Sequence, residues 1–399
     1  MTALQDGATT AIGPLHLLAT ALVDTAALIR VVPERLRVAA APGSAPVLQG
    51  ILDRLTGRLG LPGLVVVPDP DPLWSVELAL SRRLARDLGG ADGTSSHPDV
   101  SADQLEDAAH HALAAFPGRP VTVSAYDGTP LRCWAAGAED RPAVALVPPC
   151  GMPVGLVTRW MKALSGSFRV VTWESRGLFA TEDGRNLAAL GGHSLAAQAD
   201  DLLAVLDGFS IPQAHAMGLC GGAAVALAAA SRSNRVRSLS LWHGDYELGD
   251  EAPKTDHQRD VESLLTIAAR NRKQASGLHR LMRRPSTLQG LRPDIAHHLL
   301  YPYASPELLH RYGLLNGAIM STDCRPFLTA GQPTLVITSS QDTTAHPAGS
   351  EYVAAHLARA ELRRTPAGDH LTAFDAGPEL VDLAEDFLHD VTEPDRKDP

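Results

Sequence analysis

The sequence predicts an α/β fold in which a mostly parallel sheet is covered by helices on both faces. Short apolar runs of strand length, such as 143–147, 214–218 and 334–338, alternate with stretches of helical periodicity. These runs end at glycine, proline or small polar residues that are typical of loops. The chain has 399 residues, a length that suggests two compact units or one large unit with additions, and its 45% hydrophobic content is enough for a full core.

Composition and charge exclude several classes of protein. The net charge of −10 argues against nucleic-acid binding, which normally needs a basic surface. The first 13 residues lack the basic and apolar regions of a signal peptide, and no uncharged apolar stretch reaches the roughly 18 residues of a membrane span. A cytoplasmic protein with no membrane partner is therefore expected. The four cysteines are too widely spaced for a zinc site or a dense disulfide framework, so no metal and no cofactor is expected: Cys133, Cys150, Cys220 and Cys324.

Residues 1–118 read as an N-terminal accessory unit, α/β or helical, of unknown role. Helical patterns cover 14–23, 47–59, 74–88 and 102–115, and short strand patterns cover 36–40 and 64–67. The stretch 89–99 is rich in Gly, Ser, Asp and Pro and is typical of a loop or linker. The unit holds no repeat and no chemical motif, so dimerisation, docking and structural support all stay open, a homodimer among them.

From residue 119 the pattern becomes that of the main α/β core, predicted over 119–246 and 330–392. A hairpin over 121–126 and 131–135 precedes strands at 143–147, 168–173, 214–218, 236–242, 334–338 and 360–365. Helices are predicted over 158–164, 195–209, 223–231 and 378–388. Asp200 and Asp201 are expected on the solvent face of the helix 195–209. The polar tail 393–399 is expected to fray.

The turn between the strand at 214–218 and the helix after it carries the strongest chemical signal. It reads Gly218-Leu219-Cys220-Gly221-Gly222, and a strand, a tight turn and a helix are the context of a nucleophile elbow. Glycines before and after satisfy the steric demand of so sharp a turn. The N-terminus of the following helix favours a thiolate at Cys220. Taken alone, the motif also fits a buried cysteine in an alanine-rich turn.

Two further residues follow later strands in the order that a catalytic triad requires. Asp342 comes just after the strand 334–338, and His370 follows the last strand. The order nucleophile, acid, histidine resembles the α/β-hydrolase superfamily over about 270 residues. The resemblance implies that His370 is the base for Cys220, and that Asp342 orients and stabilises the imidazole. Asp245 is a reserve acid, because some members place the acid after the strand 236–242.

The resemblance also implies two donors for a developing oxyanion. One is the N–H of Gly221, and the other is the N–H of Met152, in a turn where most relatives carry histidine and this chain has Cys150. Inert packing, a disulfide and a substrate contact are the three roles considered for Cys150. Glu174 and Arg176, in a turn that matches the family's Asp-x-Arg-Gly, are expected to brace loops.

Residues 247–329 occupy the position where the superfamily inserts a helical cap. Helices are predicted over 256–272, 277–282, 294–299 and 306–315. Basic residues cluster here. They either form a solvent-exposed helix face or bind a phosphate or an acidic carrier surface. They are Arg270, Arg272, Lys273, Arg280, Arg283, Arg284 and Arg292. Possible pocket residues are His297, His298, Tyr301, Tyr303 and Tyr312.

A cysteine nucleophile fits three groups of relatives. Dienelactone hydrolases and polyhydroxyalkanoate synthases have a similar elbow, but the former lack a long cap and the latter differ in the turns at 150–153 and 171–177. Thioesterases and acyltransferases of secondary metabolism fit better, with a small-molecule acyl thioester carried by an acyl carrier protein or coenzyme A. Ester or lactone hydrolysis is the first alternative. A non-covalent lyase, isomerase or ligand-binding protein is the second.

Overall fold

The computed structural model describes residues 13–69, 72–87, 100–180, 187–365 and 368–392. The chain divides into two compact units, one of residues 1–115 with 285–297, and the other of residues 116–284 with 298–399. The segment 285–297, which the sequence analysis placed in the cap, thus groups with the N-terminal unit. The first 12 residues, on which the expectation of no signal peptide rests, the linker 89–99 and the tail 393–399 lie outside the described residues.

The N-terminal unit combines helices with one pair of short parallel strands. The strands pair in register from Arg37 opposite Val65 to Ala40 opposite Pro68. The last helix of the unit begins with a capping box, in which the side chains of Ser101 and Gln104 accept hydrogen bonds from each other's backbone N–H groups. The elements are α1 (Pro14–Asp24), α2 (Ala26–Val31), β1 (Arg37–Ala40), α3 (Ala45–Arg58), β2 (Val65–Pro68), α4 (Ser75–Asp87) and α5 (Ala102–Ala114).

The second unit contains the sheet that the sequence predicted. Its strands are β3 (Val121–Ser124), β4 (Pro130–Ala136), β5 (Ala143–Val147), β6 (Arg169–Trp173), β7 (Ala214–Leu219), β8 (Val236–Trp242), β9 (Thr334–Ser339) and β10 (Ala360–Thr365). In the described residues the strand order is β10-β9-β8-β7-β5-β6-β4-β3. The pairs β3–β4 and β4–β6 are antiparallel, and the others are parallel. The predicted α/β fold with a mostly parallel sheet is therefore confirmed.

Because these strands are parallel, the loops that follow β5, β7, β8, β9 and β10 all lie along the edge of the sheet formed by the carboxyl ends of the strands. Strands β5, β7 and β9 are buried along their whole length, as expected for parallel strands covered on both faces. The predicted site residues lie in these loops, so the topology alone gathers them at the same edge.

Helices cover the sheet: α6 (Thr158–Leu164), α7 (Leu195–Gly208), α8 (Gly221–Ala230), α13 (Pro347–His356) and α14 (Pro378–Thr392). Every residue of α8 is buried, because its sequence is almost entirely alanine and glycine and fits closely against the sheet. The prediction that Asp201 lies on the solvent face of α7 is wrong. Asp201 is buried and forms an ion pair with the equally buried Arg176, whose guanidinium also binds Asp127.

The cap region contains α9 (Asp256–Arg270), α10 (Arg272–Met282), α11 (Ala296–Leu299) and α12 (Pro306–Ser321). The predicted helix 256–272 ends earlier, because Asn271 has extended dihedrals and its side chain caps α10 by accepting from the N–H of Gln274. Helix α12 extends six residues beyond the predicted end at residue 315. It packs tightly against α9 at Gly313, where a Cβ would lie 2.8 Å from the backbone nitrogen of Ala269.

Among the described residues, no helix is both long enough and apolar enough to cross a membrane.

Candidate active site

Cys220 lies at the sharp turn between β7 and α8, with φ of 54° and ψ of −127°. The positive φ is unusual for a residue that carries a side chain, and it is typical of a nucleophile elbow. A Cβ on Gly218 would lie 2.6 Å from the Cα of Ala223, and one on Gly222 would lie 2.3 Å from the carbonyl oxygen of Val147. Both glycines are thus required by close backbone contacts, and Cys220 is held half-buried at the start of α8.

His370 and Asp342, the predicted base and acid, form a buried hydrogen-bonded pair. The Nδ1 atom of His370 lies 2.9 Å from Oδ2 of Asp342. The other carboxylate oxygen accepts hydrogen bonds from the backbone N–H groups of Thr344 at 2.8 Å and Ala345 at 2.9 Å. Cys220 lies close enough to the imidazole to influence the pKa of His370, so the structure places the three side chains together. Their catalytic roles stay predictions, but the structure brings them together.

Electrostatic interactions within this group of side chains shift the pKa values of His370 and Asp342. Burial lowers the pKa of His370, but interactions with Cys220 and Asp342 outweigh burial and raise the pKa to about 10. Burial raises the pKa of Asp342, but its hydrogen bonds from two histidines and from backbone N–H groups hold the pKa below its usual range. An anionic carboxylate and a protonated imidazole are therefore the favoured states at neutral pH.

Asp245, the reserve acid, does not bind His370 in this structure. Its carboxylate accepts a hydrogen bond from the side-chain amide of Gln258 at 2.7 Å. Burial raises the pKa of Asp245. Asp245 is therefore close enough to influence the site, but the imidazole is held by Asp342.

Sequence reasoning missed one residue of the site, His243. It directly follows β8, has a φ of 48°, and places Nδ1 at 2.9 Å from the same oxygen of Asp342 that His370 binds. Its ring meets that of His370 edge to face, with centroids 5.6 Å apart. The only sequence signal was a histidine at a strand end, two residues before Asp245, which is weak without the partner loop.

The predicted oxyanion donors lie on the two loops that flank Cys220. The N–H of Gly221 is the first of α8 and so has no partner within the helix. The N–H of Met152 donates a long hydrogen bond, 3.3 Å, to the carbonyl of Pro149. A bound oxyanion would have to share or replace that bond. The assignment of Met152 stays a prediction.

The turn around Met152 is braced from the loop after β6. The N–H of Gly151 donates to Oγ of Ser175 at 2.9 Å, and the N–H of Val154 donates to the buried carboxylate of Glu174 at 3.1 Å. Glu174 is in turn paired with Arg132 at 3.3 Å. The bracing role expected of Glu174 agrees with these contacts. Arg176 braces a different set of loops through Asp127 and Asp201.

Cys150 is a buried free thiol beside this turn. Burial raises its pKa to about 12, while a hydrogen bond with Ser175 acts in the opposite direction. A cavity of 20 Å³, about the space of one water molecule, lies beside Cys150 and is also lined by Ser175, Arg176 and Asp201. These contacts are those of a packed, neutral thiol.

Helix α12 of the cap passes over the elbow. A Cβ on Gly151 would lie 2.9 Å from the ring of Tyr312, and one on Gly221 would lie 3.6 Å from the side-chain oxygen of Asn316. The amide of Asn316 donates to the hydroxyl of Tyr312 at 3.1 Å, and the ring of Tyr303 packs edge to face on Tyr312. Of the possible pocket residues, Tyr312 therefore lies at the site, supported by Tyr303.

The other proposed pocket residues lie elsewhere. Tyr301 is buried, stacks on Phe179 with centroids 4.7 Å apart and donates its hydroxyl to the carbonyl of Leu178 at 2.7 Å. His297 belongs to the N-terminal unit, where its Nε2 lies 3.0 Å from a carboxylate oxygen of Asp24. His298 is buried and lies in the neighbourhood of Glu174.

The site contains a group of donor types that can bind metals, namely His243, Asp342 and His370, whose ligand atoms lie within 4.8 Å of one another. Both imidazoles, however, already direct Nδ1 at the Asp342 carboxylate in hydrogen bonds of 2.9 Å. A cation here would have to displace both of those protons, so the geometry fits a hydrogen-bonded acid–base group better than a metal centre.

The family model described as alpha/beta hydrolase fold matches residues 151–377, more than half of the chain. The chain therefore belongs to the α/β-hydrolase fold family, as the resemblance implied.

Solved structures show the same fold over about two thirds of the chain. A hydrolase from Pseudomonas aeruginosa PA01 is 24% identical, with a TM-score of 0.52 over 68% of this chain and 99% of that one. The enol-lactonase from Burkholderia xenovorans LB400 is 20% identical, with a TM-score of 0.54 over 67% and 100%. A thermophilic esterase from Thermogutta terrifontis is 18% identical, with a TM-score of 0.53 over 69% and 99%. At such identities the likeness establishes the fold alone.

Proposed function

We propose that the protein is an enzyme that processes acyl thioesters, as a thioesterase or an acyltransferase, through an acyl intermediate on Cys220. The observation that carries the proposal is that Cys220, His370 and Asp342 come together at the sheet edge, with the imidazole held 2.9 Å from a buried carboxylate. Membership of the α/β-hydrolase fold family supports hydrolase-type chemistry at this edge.

In the proposed acylation step, the thiolate of Cys220 attacks the carbonyl carbon of the thioester. A new C–S bond forms, and the carbonyl π electrons move to the oxygen, which the N–H groups of Gly221 and Met152 stabilise. Collapse of this intermediate breaks the original C–S bond. The departing thiolate takes the proton that His370 carries.

In the second step, the neutral imidazole of His370 takes a proton from water or from an alcohol or amine acceptor. The activated acceptor attacks the acyl carbon, and collapse returns the electrons of the C–S bond to Cys220 as a thiolate. Asp342 stabilises the imidazolium at both stages. Water as the acceptor gives hydrolysis, and a second substrate gives transfer.

A thioester is the favoured donor because thiolate attack on a thioester exchanges one thioester for another at little thermodynamic cost. The basic residues of the cap support a donor carried by coenzyme A or an acidic carrier protein. Arg292 belongs to the N-terminal unit and Arg272 is paired with Glu307, while four further basic residues of the cap are exposed. These are Arg270, Lys273, Arg280 and Arg284.

Hydrolysis of an ester or lactone is the second candidate. It is favoured by the fold-level likeness to an enol-lactonase and an esterase. The cap helices α9, α10 and α12 favour the thioester proposal, since they add a surface over the elbow that could accept a large carrier group.

The test is mass spectrometry of the protein after incubation with acetyl-coenzyme A, with S-acetyl-N-acetylcysteamine, and with phenyl acetate and a simple lactone. We expect an acetyl adduct on the Cys220 peptide from the thioesters. Cys220→Ala should give no adduct, and Cys150→Ser, which changes the neighbouring buried thiol, should keep it. Turnover of phenyl acetate or the lactone without any thioester adduct would replace the proposal with the second candidate.

A non-covalent mechanism would show itself through the same variants. Full activity of Cys220→Ala with loss of activity in His370→Ala would contradict an acyl-enzyme. A separate arm tests the carrier: Lys273→Glu with Arg280→Glu should raise KM for acetyl-coenzyme A and leave KM for S-acetyl-N-acetylcysteamine unchanged, because only the former carries phosphates.

A further inference from the structure

Two histidines converge on one oxygen of Asp342. Nδ1 of His243 and Nδ1 of His370 each lie 2.9 Å from Oδ2. The opposite oxygen is occupied by the N–H groups of Thr344 and Ala345. The carboxylate therefore accepts four hydrogen bonds, and only one of them comes from the imidazole of the proposed triad.

His243 is held in this position by its backbone as well as by its side chain. Its φ of 48° lies in the left-handed region, which residues with a side chain seldom adopt. Its N–H donates to the carbonyl of Ile337 in β9 at 2.8 Å. The side chain is buried, with 4% of its surface exposed. An uncommon backbone conformation that aims a buried imidazole at the acid is a reason to look for a function.

A shared acceptor binds each of its donors more weakly than it would bind either alone. Every hydrogen bond to Oδ2 draws on the same negative charge, so a donor from His243 reduces the hold of Asp342 on the proton of His370. The direction is the same whether His243 is neutral or protonated, because both forms donate from Nδ1.

We infer that His243 is a positioning residue that shares the carboxylate of Asp342 and thereby keeps the imidazolium of His370 able to give its proton to a leaving group. This inference rests on the proposed acyl-thioester function. The proton transfer breaks the Nε2–H bond of His370 and forms an S–H bond on the departing thiolate, which leaves His370 neutral. No other reactant is needed.

The surroundings explain why such a residue would matter. The titratable groups around His370 are Cys220 at the start of α8, Asp342 after β9, His243 and Asp245 after β8, and His257 on α9. Burial lowers the pKa of His370, whereas Cys220 and Asp342 raise it, and the effect of Asp342 persists after Cys220 has bonded to the acyl carbon. A general acid works best when its pKa is close to the working pH, so a further rise would slow proton donation.

The test compares two donors of the same acetyl group. 4-Nitrophenyl acetate releases a weakly basic phenolate that needs no proton, whereas S-acetyl-N-acetylcysteamine releases a basic thiolate that does. The variant His243→Phe keeps a ring but removes the donor. We expect acylation of Cys220 by 4-nitrophenyl acetate to stay within about twofold of wild type, and acylation by the thioester to fall about tenfold or more.

The variant His243→Asn is the matched control, because its side-chain nitrogen occupies the position of Nδ1 and can donate to Asp342. It should restore the thioester rate to within about threefold of wild type. His243→Gln places its nitrogen one atom further out and should resemble His243→Phe. If the Phe variant does not fold, the thioester acylation rates of the Asn and Gln variants provide the same comparison. Equal losses on both substrates, or no loss on either, would overturn the inference.

Proton NMR separates this inference from the proposed function. The two Nδ1–H groups bound to Asp342 should give low-field resonances, and His243→Phe should remove one and move that of His370 further downfield as its bond strengthens. An unmoved His370 resonance would refute the sharing of Asp342, even if acylation proceeds. Absence of acylation in the wild type, with the expected NMR shift, would refute only the thioester function.

Discussion

The nucleophile side of the site and its acid–base side are held in place by different means. On the nucleophile side, Gly218 and Gly222 let backbone segments approach within distances that no side chain would tolerate. On the acid–base side, Asp342 gathers two imidazoles and two backbone N–H groups from the loops that follow β8, β9 and β10. The nucleophile side depends on close backbone contacts that leave no room for a side chain, and the acid–base side depends on a network of hydrogen bonds.

The difference has a consequence for mutation. Closely packed backbone cannot make room for an added atom, so a substitution at one of these glycines is expected to destabilise the fold. A hydrogen-bonded network can lose one member and keep the fold, because the other members still have their partners. A substitution on the acid–base side is therefore expected to lower activity more than stability.

The largest effect is therefore expected from Gly222→Ala. Its Cβ would lie 2.3 Å from the carbonyl oxygen of Val147 and 2.7 Å from that of Pro148, and neither backbone atom can move without disturbing β5. We expect the free energy of unfolding to fall by about 3 kcal/mol or more. Chemical denaturation followed by circular dichroism measures it.

The matched control is Gly331→Ala, where an added Cβ has no neighbour within 4 Å. It should change the free energy of unfolding by less than about 0.5 kcal/mol. If Gly222→Ala were as stable as this control, the steric account of the nucleophile side would be wrong.

The second prediction concerns the acid–base side. Asp342→Asn removes the charge that stabilises the His370 imidazolium and puts an amide where two imidazoles donate. We expect the folded structure to survive and kcat/KM to fall by roughly 10²- to 10⁴-fold. Steady-state kinetics with S-acetyl-N-acetylcysteamine, alongside circular dichroism, checks both parts.

Asp245→Asn is the control for this prediction, since Asp245 is a nearby carboxylate that binds Gln258 instead of His370. Its effect on kcat/KM should stay below about tenfold. A larger loss from Asp245→Asn than from Asp342→Asn would transfer the role of the acid to Asp245.

These two sides also differ in how much of them could be predicted from sequence. The elbow was predictable because a tight turn leaves a local signature, with glycines on both sides of Cys220. Asp342 and His370 were placed correctly at strand ends by their order along the chain. The fold class was confirmed because alternating strands and helices leave little choice of architecture.

His243 was not predicted, because its role depends on two loops nearly a hundred residues apart in sequence meeting at one oxygen atom. The burial of Asp201 was missed for a related reason. Its partner, Arg176, comes from another loop, and a charged residue without a visible partner is normally placed in solvent. Likewise, only three-dimensional contacts group the segment 285–297 with the N-terminal unit.

The third prediction follows from the charge of Asp342. Burial raises its pKa, but hydrogen bonds from His243, His370 and backbone N–H groups lower it below the value near 3.8 of an unfolded chain. A lowered folded pKa contributes stability above the unfolded pKa and loses it as the pH falls through the folded pKa. The difference in the free energy of unfolding between wild type and Asp342→Asn should therefore shift against the wild type below about pH 4.

Urea denaturation of both proteins between pH 6 and pH 3 measures this difference. Asp369→Asn is a useful reference, because Asp369 is an exposed carboxylate in the same region and binds only local N–H groups. A pH-independent difference for Asp342→Asn would mean that the carboxylate is not held as an anion.

The smallest effect is expected where the nucleophile side does use a side chain. Oγ of Ser175 accepts the N–H of Gly151 at 2.9 Å and so fixes the turn that carries Met152. The same turn is also held by the bond from the N–H of Val154 to Glu174, at 3.1 Å. Because one tether remains, Ser175→Ala should lower kcat by about 3- to 10-fold and leave KM unchanged, in line with about 1 kcal/mol for one hydrogen bond.

Ser165→Ala provides the comparison, since that hydroxyl bonds only to the carbonyl of Lys162 at the surface and should leave kcat unchanged. Comparing kcat of the two variants shows how much the Ser175 hydrogen bond contributes to the position of the turn. A loss of 100-fold or more in Ser175→Ala would show that the turn depends on its side-chain tethers as strongly as the acid–base side does. A loss of a few-fold would mean that glycine contacts and the Glu174 tether suffice to position the Met152 N–H, whose long bond to Pro149 leaves it available to a stronger acceptor.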